Sequence, residues 1–144
     1  MSIYTLPAPD APAEDWGRVA VSLPGWRWMP GMLCIWPNGN EWRVGQVNGV
    51  DGENDLPNYP AGGWGDEYPD RTGGHPDPDD AATAGCLLAL LEPASPCPFR
   101  RPGGLWVVTA GQTIHGAWAI SPLPLGRACI AAAEAIGRWP GGAG

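Results

Sequence analysis

Lysine is absent from this 144-residue chain, and all eight of its basic residues are arginine. Only 16% of the residues are charged, and the 15 acidic residues give a net charge of −7. Nucleic-acid binding depends on phosphate neutralisation by basic residues, so this balance disfavours direct nucleic-acid binding. The chain also lacks a signal peptide and an apolar run of roughly 20 residues, the length that spans a bilayer. We therefore expect a cytoplasmic protein that does not bind a membrane.

Sequence motifs for catalysis and metal binding are also missing. The chain has two histidines, His75 and His115, and four cysteines without a C-x-x-C pair. A Cys–His nucleophile would need a histidine beside Cys34 or Cys97, and no motif places them together. The G-x-S-x-G motif is absent as well. We therefore expect a protein that is not an enzyme and that binds no metal or cofactor. We also expect the cysteines to be reduced. Two alternatives stay open: a disulfide between two of the cysteines, and a small hydrolase that uses Cys97 or acidic residues.

Glycine and proline are abundant, with 22 and 18 residues, and they cluster in a predicted loop over residues 48–76. This loop contains six of the 15 acidic residues and one basic residue, Arg71, and such a long loop in a small domain is often functional. Asp51, Glu53 and Asp55 have the spacing of the oxygen ligands at positions 1, 3 and 5 of a calcium-binding loop. Leu56 and Gly62, however, replace the glycine and glutamate that an EF-hand requires. The sequence therefore predicts an acidic loop without a calcium site.

Capping residues and apolar periodicity predict three helices. The central one, DPDDAATAGCLLALLE, contains almost only apolar residues after its acidic start, so other elements should pack around it. Its N-cap is predicted at Asp77, with Pro78 in the first helical position and Pro93 ending the helix. The predicted helices are Asp10 to Leu23, capped by Asp10; Asp77 to Glu92; and Ser121 to Arg138, capped by Ser121.

Two hairpins complete the predicted fold. Met32–Trp36 and Glu41–Val47 flank the turn sequence PNGN, and Leu105–Ala110 and Thr113–Ile120 flank Gly-Gln, whereas residues 94–104 read as a loop. The order α-β-β-α-β-β-α predicts an α+β domain over residues 10–139, in which helices pack on a four-stranded antiparallel sheet. Residues 1–9 and 140–144 are predicted to be tails.

Nine tryptophans are more than a core of this size requires. We assign Trp16, Trp36, Trp106 and Trp118 to the core. The aromatic residues of the acidic loop either attach that loop to the domain or contact a ligand or a partner protein. The candidate ligand- or partner-binding residues are Arg43, Tyr59, Trp64, Tyr68, Arg71, His75, Arg100 and Arg101.

The combination of LPGWRWMPGM, DPDDAATAGCLLALLEP, a following hairpin and an alanine-rich last helix resembles small proteins of tailed phages and prophages of GC-rich bacteria. The pattern is similar to that of the phage ABA sandwich proteins, and the resemblance covers roughly residues 15–138. It implies a phage accessory gene, and such genes often encode inhibitors of host enzymes or host defence. The family has no established catalytic residues to carry over.

The resemblance and the missing catalytic motifs together suggest a non-catalytic inhibitor in the cytoplasm of the bacterial host. It would sequester either a nucleotide signal or a host protein, with a homo-oligomer as one possible form. A nucleotide site would need arginines that converge on the ligand. Replacing Arg100 and Arg101 by alanine should therefore abolish the binding of a nucleotide but not the binding of a host protein. A minor structural protein of the virion or its assembly is the alternative.

Overall fold

The computed structural model describes residues 6–45, 73–109 and 122–141. The chain has an α+β fold in these ranges, as predicted. Two 3-10 turns, Glu92–Ala94 and Pro102–Gly104, flank the fourth strand. The helices and strands are α1 (Ala13–Ser22), β1 (Leu33–Ile35), β2 (Glu41–Arg43), β3 (His75–Pro76), α2 (Ala81–Leu90), β4 (Cys97–Arg101), β5 (Leu105–Thr109) and α3 (Leu125–Ile136).

The five strands form two small antiparallel sheets, so the prediction of one four-stranded sheet is wrong. One sheet has the order β2-β1-β3 and the other consists of β4 and β5. The first hairpin is confirmed, and Cys34 lies opposite Trp42 in its register. Its turn is closed by the Trp36 N–H, which donates to the Asn40 carbonyl over 2.9 Å.

The other pairings differ from those predicted. Strand β3 lies at the end of the predicted loop over residues 48–76 and pairs with β1. Strand β5 pairs with β4, a segment that was predicted to be a loop because of its prolines. Pro98 can occupy β4 because a proline, which lacks an N–H, is tolerated in the edge strand of a sheet. The predicted partner of β5, residues 113–120, lies outside the described residues.

The helices begin later than predicted, and α1 and α3 begin directly after a proline. Asp80, not Asp77, is the N-cap of α2, and its carboxylate accepts the Thr83 N–H over 3.0 Å. The Asp77 carboxylate instead accepts the Asp79 N–H, which forms a turn before the helix. Pro12 and Pro124 occupy the N-cap positions of α1 and α3 with extended backbone, so neither proline lies inside a first turn and Asp10 is not a cap.

Helix α3 is the most deeply buried element of the structure. Residues 126–133 are all buried, so this helix is covered on every side by its neighbours. It contacts α1, α2 and β5. An alanine-rich sequence suits this position, because small side chains let surrounding elements approach closely. Among the described residues, no helix is long and apolar enough to cross a membrane.

Tryptophans form a large part of the core and match the predicted set in part, while Trp118 lies outside the described residues. Trp16 is buried as expected, but Trp36 and Trp106 are only half-buried. Trp28 and Trp139 are buried, and the Trp26 ring packs edge-on against both, at centroid distances of 5.2 and 5.8 Å. The Trp139 indole N–H donates to the Ala20 carbonyl over 2.9 Å and so fixes the C-terminal segment against α1.

Three helical glycines offer a direct test of this packing. A Cβ on Gly126 would overlap the Pro78 carbonyl oxygen, and one on Gly17 would overlap the Pro76 carbonyl oxygen, whereas a Cβ on Gly85 meets open space. We expect Gly126→Ala and Gly17→Ala each to lower the free energy of unfolding by about 1–3 kcal/mol, as overpacking does. Gly85→Ala, the matched control, should raise it by up to about 1 kcal/mol through helix propensity. Urea unfolding measures all three, and equal effects at the three sites would contradict the packing described.

Candidate binding cleft

Two arginines hold the acidic segment before α2 in place. Arg127 of α3 forms a bidentate ion pair with Asp79, with Nε–Oδ1 and Nη2–Oδ2 distances of 3.0 and 2.8 Å. Its Nη1 also donates to the carbonyl oxygens of Pro9 and Ala11, over 2.9 and 2.6 Å. The guanidinium lies over the Trp16 ring, 6.0 Å from its centroid. One buried side chain therefore joins α3, the N-terminal segment and the start of α2.

The second ion pair joins Arg43 of β2 to Asp80, with Nη–Oδ distances of 2.8 and 3.1 Å. Arg43 Nη1 also donates to the Gly31 carbonyl over 2.9 Å. The hydrogen bonds from Arg43, helped by the Thr83 N–H and hydroxyl, lower the pKa of Asp80 to about 2. Arg43 was a predicted ligand-binding residue. The structure places it in an ion pair with Asp80, where three of the five guanidinium N–H donors are engaged.

A cleft of about 800 Å³ lies beside the Arg127–Asp79 pair. Its walls come from the N-terminal segment, the start of α2, the start of β5 and the segment that leads into α3. They are mostly apolar, and the backbones of Trp106 and Leu123 are bonded to each other by two hydrogen bonds of 2.6 and 2.9 Å. The lining residues are Pro9, Asp10, Pro78, Asp79, Ala81, Ala84, Gly104, Leu105, Trp106, Pro122, Leu123, Pro124, Leu125, Gly126 and Arg127.

The charged groups of the cleft favour a cation over an anion. Arg127 uses four of the five N–H donors of a guanidinium in the bonds described above, and its side chain is only 9% exposed. The Asp79 side chain is 43% exposed, and Asp10, the third charged residue of the lining, is exposed as well. The two carboxylates of Asp10 and Asp79 and the single guanidinium of Arg127 give the lining a net charge of −1. A phosphate group would meet more negative charge here than free donors.

Of the predicted binding residues, Arg100 and Arg101 remain exposed, on β4. The Arg100 guanidinium lies over the ring of Trp106, 5.8 Å from its centroid, and Trp106 also lines the cleft. Arg100 therefore places a positive charge beside the β5 wall. The structure thus brings one predicted residue next to the cleft and leaves its neighbour Arg101 on the exposed strand.

His75, a predicted binding residue at the end of the predicted loop, is buried on β3 and does not line the cleft. Burial lowers its pKa, and the Pro76 carbonyl opposes that effect. Its Nδ1 has no hydrogen-bond partner of good geometry among the described residues. His75 lies opposite Ile35, and Cys34 lies opposite Pro76. Because neighbouring residues of a strand point to opposite faces, His75 and Cys34 cannot form a Cys–His pair.

The remaining predicted binding residues, Tyr59, Trp64, Tyr68 and Arg71, lie outside the described residues, as do His115 and the candidate calcium loop. No group of three or more histidine, cysteine or acidic side chains arranged for a metal ion is found in residues 6–45, 73–109 and 122–141. The four cysteines are free thiols. Burial raises the pKa of Cys129 to about 12, which keeps this thiol protonated and unreactive.

Sequence reasoning missed the residues that form the cleft. Arg127 was not singled out, and the two aspartates before α2 were treated only as charges that favour a helix N-terminus. A signal was present, because Arg127 is the only basic residue within the apolar sequence LGRACIAAAEAI. A buried arginine requires a carboxylate partner, and Asp79 lies 48 residues away in the chain. Comparisons with models of known families, with curated proteins and with solved structures found no match to this chain.

The Asp80–Arg43 pair predicts the direction in which the stability of the fold changes with pH. The folded-state pKa of Asp80, about 2, lies below its ordinary value of 3.8, so its ionised form stabilises the fold. This contribution, on the order of 1–2 kcal/mol, is present above about pH 4 and is lost as the pH falls towards 2. Asp77, whose pKa is raised by burial, has the opposite effect. The contribution of Asp80 must therefore be isolated with a variant.

Asp80→Asn is suitable, because asparagine also caps helices well. Urea unfolding at several pH values should show that the variant loses less stability than the wild-type protein between pH 4 and pH 2. Parallel curves for the two proteins would contradict the assignment.

Proposed function

We propose that this chain is a phage-encoded, non-catalytic binding protein that inhibits a host protein in the bacterial cytoplasm. The cleft carries the proposal. It combines apolar walls with exposed carboxylates, and protein-binding surfaces commonly have an apolar centre and a polar rim. The resemblance of the sequence to phage accessory proteins supplies the expected setting.

The geometry favours a host protein over a nucleotide signal. A nucleotide site requires arginine donors that converge on phosphates. Arg127 and Arg43 instead form bidentate pairs with Asp79 and Asp80, and each also donates to backbone carbonyls. Arg100, which does not line the cleft, stacks on the lining residue Trp106. The phosphate-binding form of the hypothesis therefore has the weaker support.

The hydrolase alternative gains no support from the candidate nucleophiles. Cys34 and His75 point to opposite faces of their sheet. Cys97 lies exposed at the start of β4, in the other sheet. A nucleophile requires a base within hydrogen-bonding reach, and the register of β1 and β3 places His75 on the face opposite to Cys34.

Capture from a lysate of the bacterial host tests the proposal. Ala81 and Ala82 are neighbouring exposed residues in the first turn of α2, but only Ala81 lines the cleft. We expect Ala81→Gln to fill part of the cleft and to weaken partner binding by about tenfold or more, a loss of roughly 1.4 kcal/mol. Ala82→Gln should bind as the wild-type protein does, and thermal unfolding should show both variants folded.

A second matched pair removes apolar contact instead of adding bulk. Leu125 and Leu88 are both half-buried helical leucines, and only Leu125 lines the cleft. Leu125→Ala should weaken capture, whereas Leu88→Ala should not. Native mass spectrometry of the wild-type protein purified from the host should show a bound protein. A bound mass of nucleotide size, or capture that is unchanged by both cleft variants, would overturn the proposal.

A further inference from the structure

We infer that the cleft receives a segment of the partner protein in which a basic side chain stands beside apolar ones. This inference rests on the proposed function, since it names the chemistry of the partner at that same site. It is carried by the arrangement of three charged groups around the cleft: Asp10 and Asp79 in its lining, and Arg100 over Trp106.

Asp79 is placed to receive a second cation. A carboxylate has about four acceptor positions, and Arg127 occupies one on each oxygen. The remaining positions belong to a side chain that is 43% exposed, while its arginine partner is 9% exposed. An ammonium or guanidinium group that enters the cleft can therefore reach the carboxylate without displacing Arg127.

Asp10 adds a second carboxylate to the same lining. It is exposed, and the salt bridges formed within the described ranges do not include it. Arg100 lies over Trp106, at the β5 wall of the cleft. Asp10 and Asp79 thus lie around Arg127 with a net charge of −1, and a second positive group lies near Trp106. This polarity orients the segment, with its basic side chain towards the two carboxylates and away from Arg100.

The walls of the cleft offer contact to the side chains of a partner segment and not hydrogen bonds to its backbone. The backbone N–H and carbonyl groups of Trp106 and Leu123 are already bonded to each other, so this part of the wall has no free strand edge to offer. What it presents are apolar side chains, with those of Leu105 and Leu125 close by. A segment that fits must therefore bring apolar side chains of its own next to the basic one.

Three blocked peptides test the inference on the intact protein. We propose titrating the 15N-labelled chain with Ac-Leu-Lys-Leu-NH2, Ac-Leu-Gln-Leu-NH2 and Ac-Leu-Glu-Leu-NH2 and following the amide resonances. The lysine peptide should shift residues of the cleft, Trp106, Leu125 and Gly126 among them. It should bind about three- to tenfold more tightly than the glutamine peptide, and its advantage should shrink at high salt. The glutamate peptide should bind most weakly.

Neutral variants separate this inference from the proposed function. Asp10→Asn should reduce the lysine peptide's advantage about threefold, while Asp15→Asn, an exposed aspartate of α1 outside the lining, should leave it unchanged. Asp79→Asn should have a larger effect, provided that its unfolding curve shows a folded protein. Equal affinity for the lysine and glutamine peptides, or no shifts in the cleft with any peptide, would overturn the inference. If Ala81→Gln still weakens host-protein capture in that case, the proposed function stands without it.

Discussion

The Arg127–Asp79 ion pair is the interaction on which the rest of the structure depends. It crosses from the most buried helix to the acidic turn before α2, and the same guanidinium holds the backbone of the N-terminal segment. Three parts of the chain, distant in sequence, therefore meet at one side chain. The cleft lies at this junction, so the same contacts that hold the fold together also define the shape of the candidate site.

The position of Arg127 carries an electrostatic cost that its partners must offset. A cation in the first turn of a helix faces the positive end of the helix dipole, and removal from water adds a desolvation penalty. Asp79 supplies the opposite charge, and the carbonyls of Pro9 and Ala11 accept further donors. Hydrogen bonding to Asp79 accordingly raises the pKa of Arg127. A buried charge so fully bonded is a structural element and not an anion-binding group.

Local sequence signals predicted the parts of the fold that local physics determines. The PNGN turn and its flanking strands gave the first hairpin, and apolar periodicity located all three helices. The first and last helices were predicted to start too early, at Asp10 and Ser121, whereas Pro12 and Pro124 occupy their N-cap positions. The pairing of β4 with β5 was missed because Pro98 reads as a loop residue until its edge position is known.

The candidate site was less predictable, because it is built from pairings between distant residues. Arg43 and Arg100 each follow an aromatic residue, yet Arg43 pairs with Asp80 and Arg100 lies over Trp106. Nothing within a short window of sequence distinguishes an arginine that neutralises an internal carboxylate from one that remains exposed. Only the topology, which brings α3 and β2 to the two sides of the acidic turn, decides which charges remain for a partner.

The free energy of unfolding of Arg127→Met tests the central claim most directly, with Arg18→Met as its control. Both arginines lie in helices and form ion pairs, but the Arg18–Glu14 pair has side-chain exposures of 51% and 46%. Methionine keeps the apolar stem and removes the charge in each case. The account predicts that Arg127→Met loses about 2–4 kcal/mol, because the carbonyls of Pro9 and Ala11 lose their donor, and that Arg18→Met changes stability by less than about 1 kcal/mol. Losses of similar size in the two variants would contradict it.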